Sequence, residues 1–105
     1  MAAVHLNNES FRELLQSGNA ALVEFWAPWC SYCQQLENTI DQICAEYAGR
    51  LTIGKINIDD CPDLAAKYYI EYVPTLVIFA EGELIDFLIS PGSRDAIVQF
   101  IEEIL

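Results

Sequence analysis

Trp29-Cys30-Ser31-Tyr32-Cys33 joins two patterns of different period. Before it, Ala20 to Trp26 is an apolar run broken only by Glu24, as in a strand buried on both faces. After it, Cys33, Leu36, Ile40, Ile43 or Cys44, and Tyr47 recur in steps of three or four. That spacing predicts a helix over about residues 31–48. The two cysteines therefore stand at a strand-to-helix turn. Positions i and i+3 on a helix are neighbours, with Cβ atoms about 5–6 Å apart. A small rotamer change closes that gap to disulfide spacing. The pair is expected to switch between dithiol and disulfide with little backbone movement.

Its position makes the two sulfurs unequal. Cys30 falls at the helix start, where unpaired backbone N–H groups and the positive end of the helix dipole favour an anion. Its thiol pKa is expected to be lowered, which makes it the nucleophile. Cys33 continues the apolar stripe and is expected to point inward, as the less accessible, resolving thiol. Dithiol exchange needs this asymmetry. One sulfur attacks a substrate disulfide, and the other releases the substrate from the mixed disulfide.

Composition narrows the class. The 105 residues, 53% of them hydrophobic, suit a single globular domain spanning 1–105. Sixteen acidic residues against five basic ones give a net charge of −11, which argues against nucleic acid or an anionic membrane surface as partner. No apolar run reaches the roughly 20 residues of a membrane span. The first residues, Met1 to Glu9, show neither a basic segment nor a long apolar one, so a cytoplasmic protein is expected. Four cysteines in such a chain point to redox chemistry at the Cys-x-x-Cys pair, not to a structural disulfide framework.

Outward from the motif, Val4 to Leu6 reads as a short strand. Asn7, Asn8 and Ser10 suit a helix N-cap, and Ser10 with Glu13 matches a capping box. Phe11, Leu14 and Leu15 form that helix's apolar face, and Gly18 ends it. Leu51 to Ile58 is a third strand with Lys55 its only charge, which makes strand, helix and strand a right-handed βαβ unit. Pro62 opens a helix with Leu64, Ala65, Tyr68 and Tyr69 on its apolar face. Leu76 to Phe79 and Glu83 to Ile89 form a hairpin around Glu81-Gly82. Ser93 caps a last helix whose face is Ile97, Phe100, Ile101, Ile104 and Leu105. The predicted order is β-α-β-α-β-α-β-β-α.

This order resembles the thioredoxin family. So do four stretches: Val23 to Cys33, Lys55 to Asp59, Tyr72-Val73-Pro74-Thr75 and the Glu81-Gly82-Glu83 turn. A Cys-x-x-Cys alone also serves metal sites. Trp-Cys-x-x-Cys after a buried strand, with Val-Pro-Thr about 40 residues on, is far more specific. The resemblance implies an α/β thioredoxin fold: three layers, α/β/α, with four helices around a central five-stranded mixed sheet. It implies a cis Pro74 facing the cysteines, with the Val73 backbone as an edge to which a substrate segment adds like a strand. It implies a protein disulfide reductase acting through Cys30 and Cys33.

The resemblance also assigns further roles. Glu24 stands where the family carries a buried Asp. A carboxyl there has a raised pKa and can take the proton of Cys33. Lys55 matches the family lysine near that carboxylate. Trp29, Ser31, Tyr32, Val73, Pro74 and Gly92 fall at the substrate-binding surface. The implied partners are disulfide-containing proteins and a flavin-dependent thioredoxin reductase as electron donor. The protein is expected to be a monomer and to need no bound cofactor or metal, because the redox group is the cysteine pair.

Departures from the family pattern carry expectations of their own. Ser31-Tyr32 replaces the family's Gly-Pro and adds a donor N–H near Cys30, which favours the thiolate and a more oxidising pair. It also raises two rivals: a glutathione-coupled or isomerase-like exchanger, and a non-enzymatic redox-sensing binding module. Asn38 replaces the proline that kinks the family's second helix. Ser90 stands where the family has a Gly in the loop before the last helix, with Gly92 two residues on. Cys44 falls on a buried stripe. Cys61, at a helix start, is expected to be partly exposed with a lowered pKa, open to regulatory oxidation.

Overall fold

The computed structural model describes residues 3–105. The elements are β1 (Val4–His5), α1 (Asn8–Ser17), β2 (Ala21–Trp26), α2 (Ser31–Glu46), β3 (Thr52–Asn57), α3 (Pro62–Lys67), β4 (Thr75–Ala80), β5 (Glu83–Ile89) and α4 (Arg94–Glu102). They form one sheet in the order β1-β3-β2-β4-β5. β1 and β2 run parallel to β3, β4 runs antiparallel to β2, and β5 runs antiparallel to β4. The order and the mixed sheet are those the sequence predicts.

Side chains alternate across the strands, which produces the two helical layers. Leu22, Leu76 and Ile78 pack with Leu36, Ile40 and Ile43 of α2 and Ile97 and Ile101 of α4. Val23, Phe25, Val77 and Phe79 point the other way and pack with Phe11 of α1, beside Leu64. By the same alternation Glu24 shares the face of Leu22 and lies beneath α2. β2 is central, and Glu24 on it is 1% exposed.

Several local expectations are corrected. The capping box at α1 is Asn7 with Ser10, not Ser10 with Glu13. The Asn7 Oδ1 accepts the Ser10 N–H at 2.8 Å, and the Ser10 Oγ accepts the Asn7 N–H at 2.9 Å. The earlier start puts Phe11 inward against Phe79 and Tyr68, at ring distances of 5.3 and 5.8 Å. α3 stops at Lys67, so Tyr69 does not join its apolar face. Tyr69 turns left-handed (φ 55°), and the N–H groups of Tyr69 and Ile70 donate to Ala66 and Ala65. This is a Schellman ending with Tyr where Gly is usual, and it swings the Tyr69 ring into solvent. α4 ends at Glu102, and Leu105 is half exposed. Cys61 is buried and packed with Val23 and Ile56, and burial first, then Asp60, pushes its thiol pKa up. The expected accessible, acidic Cys61 is therefore overturned: the helix start that would favour its thiolate is sealed under α1.

The left-handed residue before α4 is Ser90, at φ 44°. L-residues are strained there and glycine is not. Ser90→Gly is expected to stabilise the fold by about 0.5–1 kcal/mol. A shifted denaturation midpoint at unchanged slope would show it, and an unshifted or lowered midpoint would contradict it.

Candidate active site

Cys30 is the N-cap of α2, with extended backbone (φ −91°, ψ 105°). Ala27 holds the turn by accepting the Cys30 N–H at 3.1 Å. The Cys30 Sγ accepts the Cys33 N–H at 3.1 Å. A sulfur thus takes the place that a Ser or Asp oxygen usually fills at a helix start. The first turn of α2 carries no acidic side chain, so nothing there opposes a negative sulfur. Cys30 and Cys33 are joined as a disulfide with Cα atoms 5.3 Å apart. Cys30 is 8% exposed and Cys33 4%. The order of accessibility is the expected one, although both sulfurs are sheltered by Trp26, Tyr32, Ile58 and Val73.

Three loops meet at this pair. The Val73–Pro74 peptide is cis, and the Val73 carbonyl oxygen lies 3.6 Å from the Cys30 Sγ. The Ser90 N–H donates to the Pro74 carbonyl at 2.8 Å. The Tyr32 hydroxyl donates to the Pro91 carbonyl. The motif turn, the Pro74 loop and the Ser90-Pro91 loop therefore form a closed ring around Cys30. Sequence reasoning missed this use of Tyr32, because a pairing 59 residues away in the chain leaves no periodic trace. Trp29 is 67% exposed, with its Nε1 donating to Asp59 at 3.3 Å, and Ser31 is exposed beside it. Gly92 is exposed in the third loop, and a Cβ built on it would meet open space.

Glu24 and Lys55 lie directly opposite one another on β2 and β3, which puts both side chains on one face. They do not form a contact ion pair. Among the described residues neither Glu24 carboxyl oxygen has a hydrogen-bond partner. The Lys55 Nζ instead lies over the Trp26 ring, 4.9 Å from its centroid. Trp26 was not singled out from the sequence. Its place two residues after Glu24, on the same strand face, was the available signal. Burial raises the Glu24 pKa to about 7; Lys55 lowers it, and Glu37 and Asp41 of α2 raise it further. A carboxyl poised near neutrality, under the helix that carries Cys33, is suited to proton exchange.

A sequence profile described as Thioredoxin matches residues 2–103. The chain belongs to the thioredoxin family. It is similar to Thioredoxin 1 of Nostoc sp., 34% identical over 103 residues covering 97% of this chain and 96% of that protein. It is similar also to a thioredoxin of Pyropia yezoensis, 35% identical over 104 residues, with 98% and 97% covered. A chloroplastic thioredoxin M4 of Arabidopsis thaliana is 40% identical over 108 residues, covering 99% of this chain and 56% of that protein. With the thioredoxin relationship and the cysteine geometry together, the protein is a thiol–disulfide oxidoreductase acting through Cys30 and Cys33 on disulfide-containing proteins.

Proposed function

We propose that this thioredoxin-family protein runs in the reducing direction, as a general reductase of protein disulfides. Likeness to thioredoxins supports this direction, and Cys30 at the N-cap of α2, with its sulfur against the Val73 carbonyl, supports its role as the nucleophile. The Cys30 thiolate attacks one substrate sulfur. The substrate S–S bond breaks, a Cys30–substrate disulfide forms, and the other substrate sulfur leaves as a thiolate. Cys33 then attacks the Cys30 sulfur, which closes the Cys30–Cys33 disulfide and releases the second substrate thiolate. Two electrons pass to the substrate. Glu24 takes the Cys33 proton, and Lys55 limits how far burial raises the Glu24 pKa.

Val73 and Pro74 hold the substrate backbone, and Trp29, Ser31 and Tyr32 shape its approach, with Gly92 at the third loop. The oxidised protein is returned to the dithiol by a flavin-dependent thioredoxin reductase. The protein acts as a cytoplasmic monomer without a bound cofactor. No described helix is long and apolar enough to cross a membrane.

The reduction potential of the Cys30–Cys33 pair tests the direction of electron flow. A value between about −270 mV, typical of thioredoxin, and about −220 mV is expected. The Ser31-Tyr32 dipeptide places it above the lower figure. A value above about −220 mV would replace the reductase reading with a glutathione-coupled or isomerase-like one. Absence of a reversible couple would leave only a binding module.

A further inference from the structure

An apolar groove of about 380 Å³ begins beside the cis proline and runs along the α3 face of the sheet. Tyr69, Tyr72, Leu84, Phe87 and Ile89 line it. The reason for the opening is geometric. α3 has only six residues, so the α1–α3 layer covers β2 and β4 but stops short of β5. β5 is also the edge of the sheet, and Leu84, Phe87 and Ile89 on it are 39–55% exposed. Tyr72 is 61% exposed and Tyr69 87%. Tyr69 holds its ring in solvent at a left-handed position where glycine would be relaxed. A cluster of large exposed apolar side chains of this kind marks an interaction surface.

Two observations select the occupant. The first is charge. Among the described residues Glu71 is the one charged side chain lining the groove, and the whole chain carries −11. A second copy would bring like charges together, whereas a basic segment would be attracted. The second is continuity. Tyr72 and Thr75 line the groove and are the immediate neighbours of Val73 and Pro74 in the chain. A substrate segment seated on the Val73 edge therefore lies at the mouth of the groove.

We propose that the groove binds the substrate polypeptide beside its disulfide, selecting a segment of aliphatic or aromatic residues interspersed with Lys or Arg. This rests on the exchange reading at Cys30 and Cys33. The probes are three synthetic peptides with the same intramolecular disulfide: one without a tail, one with a Leu-Lys-Ile-Lys tail on both sides, and one with a Ser-Lys-Ser-Lys tail on both sides. The readout is single-turnover oxidation of the reduced protein, followed by tryptophan fluorescence. The apolar basic tail is expected to react at least tenfold faster than the polar basic one at low peptide concentration, through a lower half-saturation. In the double variant Tyr69→Gly, Phe87→Thr that advantage is expected to disappear, with the tail-less peptide reacting within twofold of the parent protein. Leu84→Ser provides an independent second variant, and thermal melts confirm that each is folded.

Equal rates with both tails in the parent protein overturn the proposal. So does an advantage that survives the variants. A dimer in sedimentation that the double variant dissolves would assign the groove to a second copy and also overturn it. Failure of all three peptides to react would instead remove the exchange reading, and this inference with it.

Discussion

Cys30→Ser is expected to lower disulfide exchange by at least about 10⁴-fold, because it removes the nucleophile from which both covalent steps start. A serine hydroxyl at the N-cap still accepts the Cys33 N–H, so the start of α2 and the fold should survive. Stability within about 1 kcal/mol of the reduced parent is therefore expected. Cys33→Ser should behave differently. It leaves attack intact and blocks resolution, so a mixed disulfide at Cys30 accumulates and is visible by mass spectrometry. The sheltered position of Cys30, at 8% exposure, favours this trapping, since outside thiols reach the Cys30–substrate bond slowly. Exchange retained in Cys30→Ser, or trapping at Cys33 in that variant, would reverse the assigned roles.

Glu24→Gln is expected to change both stability and resolution, with a definite dependence on pH. The Glu24 pKa is about 7 in the folded protein, against an ordinary value of 4.5. Below pH 4.5 the carboxyl is neutral whether the chain is folded or not. Between pH 4.5 and about 7 the unfolded chain loses this proton while the folded one keeps it. The folded state binds more protons, so stability falls as pH rises through that window. Each pKa unit corresponds to about 1.4 kcal/mol, so the loss approaches ~3 kcal/mol above neutrality.

Glutamine carries no charge at any pH and should remove this fall. At pH 8 the variant is expected to be more stable than the parent by up to ~3 kcal/mol, and near pH 4.5 the two should converge. Urea denaturation across pH 4.5–8 checks it, and parallel curves for the two proteins would refute the buried acid. Resolution of the mixed disulfide should slow by about 10²-fold, as the Cys33 proton loses its acceptor. The slowing belongs to the second step alone, so formation of the mixed disulfide should keep its rate.

The chain's own patterns determined the element order, because each element has a local cause. The continuous apolar runs of β2 and β4, the three-to-four spacing of Cys33, Leu36, Ile40 and Ile43, and Gly18 at a helix end are readable within a few residues. So was the inequality of Cys30 and Cys33, since a helix start favours one sulfur and an apolar stripe buries the other. Boundaries were less legible. Asn7 and Ser10 compete for the same cap, and only the burial of Phe11 against Phe79 decides between them. Cys61 was misjudged for a related reason: a helix start predicts the field at a thiol, while its burial depends on which distant elements cover it.

Tertiary structure alone decided how the site is assembled. Tyr32 reaching Pro91, Ser90 bonding to Pro74, and Lys55 turning from Glu24 to the Trp26 ring all join residues far apart in sequence. The apolar groove has the same origin, in the short span of α3 against the reach of β5. The sequence determined that a reactive dithiol sits at the start of a helix, because helix capping and side-chain period are local physics. Its surroundings depend on side chains that meet only when the sheet brings separate loops to one end, and no local pattern records that meeting.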